Sequence, residues 1–220
     1  MDIERRTAGN TAIVLIDYVT GFAPMIRSQT VAENAAGGRA LLQTANTFGV
    51  PLVVSVGPRN DPRGALYPEI AKVVGEHPVV HRGLSFDAFD DEGFTSAVAA
   101  LGRKHLVVAG LMTDGCVMHT VLSALRAGYE VSVIVDATAS ESAAAHSAAL
   151  ARFTQTGRGA AKLAVARLRA PAFLRERRHA AGISRDSVKF GGLRHAQLDA
   201  GERGRGHRGQ PGKQYRRMSP

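Results

Sequence analysis

Five runs of consecutive apolar, often β-branched residues punctuate the chain: TAIVLI at 11–16, PLVVSV at 51–56, PVVH at 78–81, HLVVA at 105–109 and EVSVIV at 130–135. Runs of this length without polar alternation predict strands buried on both faces, the pattern of a parallel sheet. The segments between them repeat with helical spacing. Val31 to Phe48 predicts a helix closed by Gly49, Asp91 to Leu101 and Ala143 to Thr156 predict two more, and Pro68 to Val74 a short one. Cys116 to Ala127, with apolar residues at Val117, Val121, Leu122 and Leu125, predicts a helix that follows a strand directly. Regular alternation of this kind predicts the α/β class, with a mainly parallel, doubly wound sheet and helices on both faces. Its right-handed crossovers bring every strand's C-terminal end to one edge. Three polar residues fall at that edge: Asp17 after the first run, Arg82 after the third, and Cys116 after the tight Gly110–Gly115 connection.

Cys116 is the chain's one cysteine. A lone cysteine often serves as a small buried hydrophobe. A strand, a glycine-containing turn and a helix start form a setting better suited to a nucleophile. Unpaired N–H groups and the positive end of the helix dipole there are expected to lower the thiol pKa below its ordinary ~8.5. Asp17 stands where α/β sheets bind ligands, although loop and cap carboxylates occur there too. Phe22, Phe86 and Phe89, with His119 one turn into the cysteine's helix, are candidates to line a pocket, and core or surface packing accounts for them as readily.

Together, the strand ending in Asp17, Arg82 ahead of Ala88-Phe89, GLMTDGCV at 110–117, and Ala124-x-x-Ala-Gly-Tyr-Glu-Val131 leading to Val135-Asp-Ala137 resemble the isochorismatase-like cysteine hydrolase superfamily. The resemblance covers roughly residues 9–156. It implies a three-layer α/β/α sandwich, a commonly homo-oligomeric assembly and hydrolysis of a small-molecule substrate at an amide, carbamoyl or similar C–N bond. Cys116 would be the nucleophile that forms an acyl-enzyme, and Asp17 the base that takes its proton. Arg82 would stand where most members carry a lysine. A cis Leu111–Met112 peptide would aim the Met112 and Cys116 N–H groups at an oxyanion. The chemistry is coherent, because a carboxylate beside a thiol needs a nearby cation to hold negative charge. A cysteine at 116 argues against isochorismate itself, whose hydrolysis goes with a replaced cysteine.

Two departures qualify the resemblance. Arginine stays protonated and offers a planar fork, so Arg82 can anchor Asp17 without sharing a proton. A branch of bacterial hydrolases of unassigned substrate carries arginine there, and the sequence resembles that branch most. Nicotinamidases bind zinc through an Asp-x-His…His cluster after the second strand, whereas Gly57 to Gly64 offers Asp61 alone. A lone aspartate is no metal site, so no metal or cofactor is expected. The alternative function is an inactive binding or scaffold protein that keeps the fold without turnover.

Composition changes this picture only at the C-terminus. With 45% hydrophobic residues over 220 positions the chain can bury one full core, and a single cysteine excludes an intramolecular disulfide. No N-terminal apolar segment and no run of membrane-spanning length is present, so a cytoplasmic protein without membrane contact is expected. The net charge of +9 is unevenly spread: residues 1–156 hold 12 Lys and Arg against 15 Asp and Glu, and residues 157–220 hold 16 against 4. The chain therefore divides into a hydrolase domain at 1–156 and a basic, Arg/Gly-rich extension at 157–220, atypical for the family. Within the extension, 162–168 suits an edge strand, 172–181 a basic helix, and 201–220 has the composition of disorder. One reading makes it an arm for nucleic acid or another anionic surface. The other, favoured because the charge shift begins where the resemblance stops, makes it the product of a shifted reading frame.

Overall fold

The computed structural model describes residues 6–156 and the backbone of residues 163–166. Six strands form one sheet in the order β3-β2-β1-β4-β5-β6. They are β1 (Thr11–Ile16), β2 (Leu52–Val56), β3 (Val79–His81), β4 (His105–Leu111), β5 (Glu130–Ala139) and β6 (Leu163–Ala166), and all neighbours pair in parallel. The β6 strand lies within the segment expected to form an edge strand. The remainder of the basic extension, including the expected helix and the expected disorder, lies outside the described residues.

Both sheet faces are covered, which is why the apolar runs lack polar alternation. Ile13 and Leu15 of β1 face one core with Leu41, Leu42 and Ala45 of α1 (Val31–Phe48) and Ile70 of α2 (Pro68–Ala71). Ala12, Val14 and Ile16 face the other. There they meet Phe94 and Val98 of α3 (Glu92–Ala100), Val121 and Ala124 of α4 (Met118–Arg126), and Phe153 of α5 (Ala143–Thr156). The result is a three-layer α/β/α sandwich. Each fully buried Val, Leu or Ile side chain contributes about 1.5–3 kcal/mol relative to exposure, so the two cores drive the layering. The first crossover helix is set locally: Thr30 and Glu33 form a reciprocal capping box, and Gly49 ends the helix at φ 63°.

The chain winds outward from β1 to β3 and then returns past β1 to β4. The topological switch point therefore lies between β1 and β4, where open α/β sheets leave a crevice. Their close approach has a sequence cause. Gly110 pairs with Ile16 at φ 140°, and a Cβ at that position would overlap the Ile16 carbonyl oxygen. The one strand whose extent differs from expectation is β5, which continues past Asp136 to Ala139. Between the Val108–Val133 and Gly110–Thr138 pairings β4 advances two residues and β5 five, so a bulge carries the strand through Asp136, where its apolar run ends.

Candidate active site

Asp17 follows β1 directly and is fully buried. Its φ of 48° makes it the one non-glycine residue with positive φ among the described residues, and its N–H donates to Ser55 O at 2.8 Å. Aspartate tolerates this left-handed geometry better than most side chains. Arg82 follows β3 and is 2% exposed. Its Nη2 donates to Asp17 Oδ2, its Nε to Ser55 Oγ at 2.9 Å, and its Nη1 to the carbonyls of Gly83 and Ser85. A buried guanidinium has thus found an anion and three neutral acceptors, the condition under which a buried charge is tolerated.

Cys116 comes from the connection after β4, and it is 2% exposed. The Leu111–Met112 peptide is cis. Thr113–Val117 forms a π-type turn, with Gly115 and Val117 N–H groups donating to Met112 O at 3.0 and 3.2 Å, and α4 begins at Met118. The helix thus starts two residues later than its apolar spacing suggests.

The expected lowering of the thiol pKa is overturned. Burial, reinforced by the adjacent Asp17 carboxylate, pushes the Cys116 thiol up to about 12, and Arg82 opposes the push only in part. A helix dipole acting from a turn away does not outweigh desolvation together with a like charge. Asp17 is also raised. Its burial is the largest cause, against the downward pull of Arg82, the thiol and Arg63. Asp17 Oδ1 has no hydrogen-bond partner within bonding distance, so the contact through which the thiol lowers Asp17 is looser than a formed hydrogen bond. Such contacts are commonly long before substrate arrives. Two acids that each hold a proton more tightly than usual thus lie under the influence of one fixed cation, Arg82.

A cavity of about 450 Å³ adjoins Cys116, lined by Phe22, Met25, Phe86, Met112, Asp114, Gly115, Cys116, His119 and Glu141. Phe22, Phe86 and His119 are thus among the residues lining it, with the His119 ring stacked on Phe86 at 6.1 Å between centroids. Phe89 does not. It packs edge-on against Phe94 at 5.2 Å and against Tyr129, and belongs to the core beneath α3. A second cavity, of about 510 Å³, is lined by Gly57, Asp61, Leu66 and His81 among others and lacks the cysteine.

Sequence reasoning passes over Arg63. Its Nη1 lies 3.7 Å from Asp17 Oδ2, while Nε and Nη2 grip Asp61 at 2.7–3.0 Å. The available signal is the Asp61-Pro-Arg63 spacing, in which proline stiffens a turn that folds the guanidinium back onto the carboxylate. Asp61, the acid of the loop where nicotinamidases bind zinc, is thus engaged by an internal cation, which holds it below the usual carboxylate range. Among the described residues no group of three or more His, Cys, Asp and Glu side chains is arranged to hold a metal ion. Nor is any described helix long and apolar enough to cross a membrane.

Comparison with known proteins places the chain in a family. Residues 11–164 match the isochorismatase domain. The probable hydrolase YcaC of Escherichia coli (strain K12) is 29% identical over 153 residues, which cover 70% of this chain and 74% of YcaC. The structure of YcaC from Pseudomonas aeruginosa, solved with hexane-2,5-diol and covalent acrylamide, superposes with a TM-score of 0.69 at 31% identity, covering 74% of this chain and 79% of that one. The structure of the Escherichia coli YcaC gene product, described as an octameric hydrolase of unknown specificity, gives 0.69 at 28% identity, covering 75% and 79%. With a family domain matched across most of its length and the fold shared with such relatives, the chain belongs to the isochorismatase-like hydrolase superfamily.

Proposed function

We propose that the protein hydrolyses a C–N bond of a small molecule, an amide or carbamoyl compound, without a metal or cofactor, through an acyl-enzyme on Cys116. The observation that carries this reading is a buried carboxylate bonded to a buried guanidinium, both acting electrostatically on a buried thiol that lines a cavity. Asp17 takes the thiol proton as Sγ attacks the substrate carbonyl carbon, and Arg82 holds the carboxylate side of the pair in place. The negative charge on the carbonyl oxygen is received by the Met112 and Cys116 N–H groups. The proton on Asp17 then passes to the leaving nitrogen as the C–N bond breaks, leaving a thioester. Water, deprotonated by Asp17, attacks the thioester carbonyl, and the proton returns to the thiolate as the acid departs.

The raised pKa values suit this cycle, because the thiol is deprotonated by transfer to Asp17 within a closed site instead of resting as a thiolate. Covalent acrylamide in the Pseudomonas relative is in keeping with a nucleophile in that protein. The cavity lining contains Asp114 and Glu141 and no lysine or arginine, which favours neutral or cationic substrates over carboxylates. By analogy with the octameric relative, the working form is a homo-oligomer. Residues 1–156 are the hydrolase domain in this proposal, and the basic extension takes no part in the chemistry.

The test is a panel of neutral, cationic and anionic amides, carbamoyl compounds and nitriles, assayed with the wild type and with Cys116→Ala. Intact mass after rapid quench reads the acyl adduct. Turnover lost in Cys116→Ala, with an adduct on the wild type alone, is the expected result. A Cys116→Ala protein as active as the wild type sinks the mechanism, and a folded wild type inert on the whole panel favours the scaffold alternative.

A further inference from the structure

Arg63 is presented by more architecture than a surface ion pair requires. The loop that carries it is zipped onto the segment after Asp17 by an antiparallel bridge between Val19 and Leu66. Main-chain bonds run from Tyr67 N–H to Tyr18 O at 2.8 Å, from Thr20 N–H to Ala65 O at 2.9 Å, and from Gly21 N–H to Arg63 O. Two glycines make the approach possible. A Cβ at Gly21 would overlap the Arg63 main chain, and one at Gly57 would overlap Asp61 Oδ2 and Arg63 Nη2. The guanidinium is then clamped from two sides, by Asp61 through Nε and Nη2 and by the Phe22 ring, whose centroid is 5.4 Å away. Phe22 is itself a wall of the cavity that holds Cys116. One group is left over: Nη1, which has no hydrogen-bond partner among the described residues and lies 3.7 Å from Asp17 Oδ2.

We propose that Arg63 is a second positioning cation of the active centre, sharing with Arg82 the negative charge that moves between Asp17 and Cys116. The proposal rests on the Asp17–Cys116 pairing of the proposed function and adds to it a residue outside the expected set. The charged groups acting on Asp17 are Arg82, Arg63 and Asp61, and Cys116 also shares its cavity with Asp114, Glu141 and the titratable His119. Asp61 is a liability there, because its own charge opposes ionisation of Asp17; Arg63 neutralises it by direct contact while attracting Asp17 and the sulfur. Loss of Arg63 therefore acts twice in one direction, removing a cation and unmasking an anion. Arg82 is buried and saturated by four acceptors, whereas Arg63 is partly open to solvent and keeps Nη1 uncommitted 3.7 Å from Asp17 Oδ2, so its charge is available to the pair.

The test needs no substrate. Rates of Cys116 labelling by iodoacetamide are measured against pH on the full chain, for the wild type, Arg63→Lys and Arg63→Gln, with Cys116→Ala as the blank. For Arg63→Gln the rising limb moves to higher pH by about one unit, a tenfold lower rate at fixed pH, while Arg63→Lys loses at most a few-fold. Should Arg63→Gln fail to fold by circular dichroism, the neutral pair Asp61→Asn/Arg63→Gln replaces it, with a displacement in the same direction of about threefold in rate. A limb that overlays the wild type, or equal displacement in the Lys and Gln variants, overturns the proposal; the second outcome marks a structural clamp. Failure of the hydrolase reading is distinguishable. A chain inert on every amide but displaced in Arg63→Gln keeps the charge network and loses the reaction, while an active chain with no displacement keeps the reaction and loses Arg63.

Discussion

Replacing Arg82 by methionine keeps much of the side chain's bulk and removes its charge from beneath a fully buried carboxylate. In the wild type Arg82 bonds to Asp17, Ser55 Oγ and the carbonyls of Gly83 and Ser85, so the change strands one anion and three neutral acceptors. Breaking a buried pair by removing one partner costs about 3–5 kcal/mol, a large share of the ~5–15 kcal/mol by which a typical domain is stable.

The loss carries a pH signature. Asp17 is raised by burial even with Arg82 in place, so its ionisation opposes folding. That opposition is absent below the unfolded value near ~3.9, grows as pH rises toward the folded pKa, and is complete above it. Without Arg82 the folded pKa rises further. The deficit of Arg82→Met relative to the wild type is therefore larger at about pH 8 than at about pH 5.5, because the stranded carboxyl is increasingly protonated as pH falls. Asparagine at 17 carries no charge, so Asp17→Asn/Arg82→Met recovers part of the loss and shows little pH dependence. Urea unfolding followed by circular dichroism, at one subunit concentration so that assembly does not shift the midpoints, measures all three proteins. A cost below about 1 kcal/mol, a deficit that does not change between the two pH values, or a double variant no more stable than the single would refute the buried-pair argument.

Three further outcomes follow from the same geometry. Asp17→Asn removes both the base and the charge that pushes the thiol up, so turnover falls about 10²–10⁴-fold while iodoacetamide labelling near about pH 8 accelerates; parallel losses in both assays contradict the assigned roles. Gly110→Ala forces a Cβ onto the Ile16 carbonyl at an unfavourable φ, and is expected to cost about 3 kcal/mol or more in a urea titration, whereas a change under about 1 kcal/mol means that β1 and β4 approach less closely. Hydrolysis is expected to persist after prolonged chelation, and loss restored by added zinc disproves the metal-free reading.

The frame of the site is legible in the sequence because its determinants are local. Unbroken apolar runs mark strands covered on both faces, and the residue that ends each run occupies the strand's C-terminal edge by topology alone. Asp17 and Arg82 therefore declare themselves without coordinates, although 65 positions separate them. The β5 bulge is hidden for the converse reason. Asp136 reads as a terminator, and only the pairing with β4 decides that the strand resumes beyond it. Phe89 misleads in a similar way, since an aromatic residue near a candidate loop carries no mark of whether it turns toward a cavity or toward Phe94.

The protonation state of Cys116 lies furthest from the sequence, and the reason bears on mechanism. A thiol near a helix start invites the inference of a standing thiolate, because dipole and N–H groups are written into the local chain. Desolvation and the Asp17 charge are not local. They come from β1 and from the layers that seal the site, and they win because a buried ion loses more solvation than a dipole a turn away can return. A buried neutral thiol beside a buried acid is protected from indiscriminate alkylation and oxidation, which act on exposed thiolates. In the proposed mechanism it becomes nucleophilic when a carbonyl occupies the cavity and the proton moves to Asp17. On this argument the arginines do not create a resting thiolate; they keep Asp17 able to accept a proton inside a site that otherwise disfavours every charge. Arg82 does so from within the core, and Arg63 from behind Phe22, a wall of the cavity.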